Sequence, residues 1–207
     1  MHENSSPNQL TPKTIRNLAL LVILVFFISA SHGQSIDQSF EPSKNHPFGQ
    51  FNPEAPESVK AFEPMIGLCD CKSVRRSPEG TWQDTTAMTW QFKYIMNGTA
   101  VQDEVWRPGN QYAGSIRQYQ ADSAQWVVTY FSYPAVSMQP GVWHGGPKGD
   151  QIILKMDQKA PNGMEGDSKL TFYNIQAEGF SWKAEWVTKD ESFSYAVWMI
   201  DCKKRSQ

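Results

Sequence analysis

Between Thr86 and Met96 the chain alternates with period two. Thr86, Met88, Trp90, Phe92, Tyr94 and Met96 share one side; Thr85, Ala87, Thr89, Gln91 and Lys93 share the other. Successive strand side chains point to opposite faces, so this pattern predicts a half-buried strand with an aromatic-rich inner face. Asn97-Gly98 follows, before a second alternating run from Thr99, and this dipeptide supplies the positive φ angles of a two-residue type I′ hairpin turn. The alternation recurs towards the C-terminus, predicting strands over 65–74, 86–96, 99–107, 111–120, 125–133, 141–145, 151–158, 168–176, 180–188 and 194–203. Tight-turn signals separate nearly all of them, and a longer loop from Pro134 to Pro140 breaks the rhythm. Pro56 to Phe62 adds a short helical turn before the first strand, stopped by Pro64. About ten short strands in sequence form an antiparallel up-and-down sheet, which avoids exposed edges by pairing its last strand with its first. A closed β-barrel is the expected fold class, with a two-sheet sandwich as the alternative.

The N-terminus has a different pattern. Lys13 and Arg16 precede an apolar run from Leu18 to Ala30, followed by the small-residue stretch Ser29-Ala30-Ser31-His32-Gly33. This is the layout of a secretory signal peptide over 1–33, and its apolar run is shorter than the ~20 residues that span a bilayer. A secreted or periplasmic location follows, with no integral membrane span after cleavage. Residues 34–56 carry Pro42, Pro47, Pro53 and Pro56 among polar residues and read as a flexible leader, with Phe40, Phe48 and Phe51 as loose aromatic residues. The barrel domain then covers 57–207.

Cleavage removes Lys13, Arg16 and Glu3, taking the net charge from −2 to −3. Charged residues are 19% of the chain, and no basic face emerges, so nucleic acid is not an expected partner.

A helical turn, a Gly-x-Trp-like first strand and a ten-strand meander together resemble the calycin superfamily, which includes lipocalins and fatty-acid-binding proteins. Within it, the stretch from about Phe62 to Lys204 is similar to the secreted bacterial family DUF1579. That family begins Met/Leu-x-Gly-x-Trp; here the residues are Met65-Ile66-Gly67-Leu68-Cys69, with cysteine in place of the tryptophan that normally plugs the closed end of the barrel. The resemblance implies a barrel that binds small apolar molecules.

The aromatic faces are the natural lining for such a ligand. Met88, Trp90, Phe92 and Tyr94 share a face of the second strand, Trp126, Val128 and Tyr130 of the fifth, Phe180, Trp182, Ala184 and Trp186 of the ninth, and Ala196, Trp198 and Ile200 of the tenth. A barrel of about ten strands is wider than side chains easily fill, so a cavity able to take long apolar molecules among Trp90, Phe92, Trp182 and Trp186 is expected. The alternative is that the rings fill the barrel completely. Arg117 and Tyr119 project from one strand face and resemble the Arg-x-Tyr pair with which fatty-acid-binding proteins hold a carboxylate; an outward Arg117 is the competing reading, and Asp103, Glu104 and Arg107 share that ambiguity.

Cys69, Cys71 and Cys202 are the only cysteines. Barrel closure makes their regions antiparallel neighbours, so Cys202 is expected to bridge to Cys69 or to Cys71, leaving one free thiol. A Cys₃His zinc site with His144 and a redox Cys-x-Cys are competing readings, and no metal or cofactor is expected. His144 is the lone histidine of the barrel. A haem-binding barrel similar to nitrobindins would need it to point inward. Because Trp143 takes the opposite face and an exposed indole is costly, Trp143 is expected in and His144 out. No catalytic motif stands out, although a barrel-shaped isomerase or cyclase using buried carboxylates or tyrosines remains an alternative to a carrier.

Overall fold

The computed structural model describes residues Ile36–Ser206. The expected signal peptide lies outside the described residues. Ten strands follow one another: β1 (Gly67–Arg75), β2 (Thr86–Ile95), β3 (Ala100–Arg107), β4 (Gln111–Gln120), β5 (Gln125–Tyr133), β6 (Val142–Lys148), β7 (Gln151–Asp157), β8 (Gly166–Gln176), β9 (Gly179–Thr188) and β10 (Ser194–Lys204). Each pairs antiparallel with its sequence neighbours, and β10 returns to β1 to close the barrel. Closure gives each of the ten described strands a neighbour on both sides.

One end of the barrel is plugged. A 3₁₀ helix, Glu57–Met65, buries Val59, Phe62 and Met65, spaced by three to match its three residues per turn. Phe62 stands edge-on to Trp126 at 4.8 Å and to Phe172 at 5.8 Å. Cys69 is fully buried in β1, opposite Trp90 of β2.

Three local expectations are corrected. The β2–β3 connection is a four-residue loop rather than a two-residue turn: pairing ends at Ile95↔Ala100, and Met96, Asn97 and Gly98 all have positive φ. The reason lies upstream, in the supposed loose leader. Its residues 38–55 lie on the barrel, with Tyr94 N–H donating to Phe48 O at 2.8 Å, Asn52 N–H to Gly98 O at 3.2 Å, and Phe40 N–H to Asn97 Oδ1 at 3.1 Å. Phe40, Phe48 and Phe51 are half-buried rather than loose. Gly98 is required here, because a Cβ at its place would meet Gln50 O at 2.3 Å. Finally, β10 bulges between Ala196 and Trp198, so Ala196 pairs with Glu185 while Trp198 pairs with the adjacent Ala184. The bulge adds one residue and moves Ala196 off the face of Trp198 and Ile200.

Candidate functional site

The strand alternation sends a continuous set of aromatic side chains inward, but they do not fill the barrel evenly. In the plugged half Phe92, Phe172 and Phe180 pack against one another and against Trp90, with ring centroids 5.2–6.3 Å apart. In the open half a cavity of about 270 Å³ remains. Its apolar wall includes Trp90, Tyr130, Trp143, Leu170, Trp182 and Trp198.

Hydrogen bonds hold three of these indoles in place. Trp90 Nε1 donates to Asp103 Oδ2 at 2.7 Å, Trp143 Nε1 to Ser168 Oγ at 3.2 Å, and Trp198 Nε1 to Ser73 Oγ at 2.7 Å. Each bond satisfies a polar edge while leaving the ring faces apolar. Trp182 meets Trp198 edge-on at 4.9 Å.

Asp103 and Arg117 are buried and point inward, paired with each other. Ser115 Oγ donates to the same carboxylate, whose other oxygen takes the Trp90 indole. Arg117 also lies 5.1 Å from the centroids of Phe62 and Phe92 and 5.7 Å from that of Phe172. The inward reading of Arg117 therefore holds, but its carboxylate partner is internal. Both oxygens of Asp103 accept hydrogen bonds, and the group frames the cavity floor. Glu104 faces away, towards Lys93.

The expected lining residues divide by depth. Trp90, Arg117, Tyr130 and Trp182 reach the cavity. Phe92, Tyr94 and Trp126 are buried but belong to the packed half, and Tyr119 lies against Trp126 at 5.8 Å rather than beside Arg117 at the cavity. Burial pushes the Tyr94 hydroxyl well above the ordinary tyrosine range. Met88 borders a recess at the mouth, and Trp186 borders a separate recess between the 158–164 loop and Phe193. The cavity thus does not unite Trp90, Phe92, Trp182 and Trp186.

Two arginines stand at the mouth that the aromatic pattern did not single out as ligands. Arg75 lies 3.5 Å and Arg107 4.8 Å from the centroid of the Trp198 ring. Arg75 shares the inward face of Cys71 and Ser73, and Arg107 that of Asp103 and Val105, so the alternation contained the signal. Burial, reinforced by the like charge of Arg107, pushes Arg75 down to about 10.

Trp143 turns inward and His144 is exposed, as the alternation predicts. Cys71 is bonded to Cys202 across the β1–β10 seam, with S–S 2.02 Å, and Cys69 is the free thiol. The zinc reading fails on this bond, because two of its ligands are used in the disulfide. A disulfide is consistent with an oxidising, extracytoplasmic compartment. Among the described residues no helix is long and apolar enough to cross a membrane.

No family model matches the chain, and no curated protein does. Among solved structures, Rv2717c from M. tuberculosis aligns with 74% of this chain and 100% of its own length, at 9% identity and a TM-score of 0.49. A protein of unknown function from the DUF3598 family of Nostoc punctiforme aligns with 72% of this chain and all of its own, at 7% identity and a TM-score of 0.24. The chain is characterised by its own architecture: a closed ten-strand barrel, plugged at one end, with a tryptophan-walled cavity in the other half.

Proposed function

We propose that this is an exported barrel that binds or carries a small hydrophobic molecule. The observation that carries the reading is the unfilled space among Trp90, Trp143, Trp182 and Trp198, in which the indole N–H groups of Trp90, Trp143 and Trp198 already have partners. Fixed, largely apolar walls with few polar groups are what small-ligand sites require. The volume of about 270 Å³ lies just under the ~300–1,000 Å³ of pockets for drug-sized molecules, so a compact ring system or short chain fits better than a sterol. Membership of DUF1579 is part of this proposal and rests on Met65-Ile66-Gly67 and the strand count.

The test is a titration of the mature protein with naphthalene-2-methanol, followed by tryptophan emission. Saturable quenching or a shift is expected, and it should vanish in Ala184→Leu, which fills the cavity from its wall. An unchanged emission spectrum, or binding indifferent to Ala184→Leu, would favour a purely structural barrel.

A further inference from the structure

The cavity wall contains a single carboxylate, that of Asp103, which is matched by Arg117. At the mouth the balance differs. Ser73, Arg75, Gln83, Thr86, Arg107 and Gln111 border a recess that contains no acidic residue. Arg107 lines both this recess and the apolar cavity, so the two spaces meet at its side chain. Neither Arg75 nor Arg107 forms an ion pair among the described residues, and Arg107 Nε is buried with no hydrogen-bond partner. Both guanidiniums nevertheless lie over one indole, that of Trp198, whose N–H is fixed on Ser73.

Two half-buried cations on one ring repel each other, and partial desolvation strengthens that repulsion. The Trp198 π-face offsets some of it. An anion placed between them would offset the repulsion and supply an acceptor for Arg107 Nε, since guanidinium forks match carboxylate oxygens. The apolar remainder of such a molecule would then point along Trp198 into the tryptophan-walled space.

We propose that the ligand is a compact amphipathic acid, its carboxylate held by Arg75 and Arg107 at the barrel mouth and its apolar body inside the cavity. This rests on the cavity reading above and adds the charge of the ligand to it. The site differs from the Arg-x-Tyr arrangement implied by the family resemblance, because Arg117 is neutralised inside the protein.

The experiment compares naphthalene-2-carboxylate with naphthalene-2-methanol by calorimetry on the mature protein. The carboxylate should bind about tenfold or more tightly, the ratio expected when one charge-assisted contact is gained. Arg75→Gln should reduce that ratio to below about threefold. Arg107→Gln should weaken the carboxylate likewise, and Arg107→Lys should restore part of the loss. Thermal unfolding serves as the folding control for each variant, and the wild-type ratio stands without any variant. Equal binding of both probes overturns the inference and leaves the cavity reading intact. Binding of neither overturns both. Carboxylate binding that survives Ala184→Leu, or that ignores Arg75→Gln, places the acid elsewhere and also overturns it.

Discussion

Arg117 is paired with Asp103 inside the barrel, and the rings of Phe62, Phe92 and Phe172 surround its guanidinium. The Phe62 ring belongs to the helical plug, so the buried ion pair and the plug form one packed unit. Removing either charge alone strands the other in a low-dielectric interior. Arg117→Met should therefore cost about 3–5 kcal/mol, and Asp103→Asn combined with Arg117→Met should cost less than Arg117→Met alone. Urea unfolding of the two variants checks the order; equal or reversed losses would show that the pair is not coupled.

Phe62 carries the plug. Phe62→Ala removes edge-on contacts to Trp126 and Phe172 and should destabilise by about 3–5 kcal/mol. Phe62→Leu, which keeps most of the volume, should recover much of that loss in thermal unfolding.

The disulfide closes a loop of 131 residues. In the chain-entropy model such a loop is worth about 4–5 kcal/mol, so the Cys71→Ser variant should lose a large part of the stability, and Cys69→Ser far less. Non-reduced peptide mapping should recover Cys71 joined to Cys202 and Cys69 unmodified.

Burial raises the Cys69 thiol to about 11, with Lys204 opposing and Asp70 assisting the shift. At pH 8 the folded protein should therefore resist iodoacetamide, because the thiolate is the nucleophile and little of it is present. One equivalent should react after denaturation without reductant. Rapid labelling of the native state would contradict the buried placement.

Glu191, in the β9–β10 turn, is held down to about 2 by Lys155 and Lys169. A carboxyl lowered on folding stabilises the native state above its unfolded value near 4.5, and that contribution disappears as pH falls towards about 2. The site is open to solvent, so screening should keep the effect below about 1 kcal/mol. Glu191→Gln should flatten the fall in urea midpoint across that window, with the difference shrinking at high salt.

The strands were legible because period two survives in nearly all of them, as the close agreement at β2 and β5 illustrates. Alternation reports which face a side chain takes, but not its depth along the barrel axis. Trp126 and Tyr130 share one face of β5, yet Trp126 packs against the plug while Tyr130 reaches the cavity. Depth depends on register across all ten strands, which no single segment contains. The loop at Asn97 was misread for a related reason: its shape is set by contacts with Phe40 and Asn52, about 45 to 57 residues upstream. The bulge at Val197 left no local mark, since Ala196 and Tyr195 can each face either way. Arg117 was ambiguous because its partner Asp103 is on another strand, and sequence distance hides the pairing.

The seam between β1 and β10 turns the sheet into a hoop with a covalent clasp. Cys71 is made early and must wait for 131 further residues before its partner exists, while Cys69, two positions away on the same inward face, remains a rival throughout. What separates the rivals is registration: Cys71 faces Cys202, whereas Cys69 faces Lys204. The clasp therefore fixes the one alignment in which these two cysteines meet. A chain fastened through Cys69 would be locked out of step around the whole circumference, and only a thiol exchange could release it.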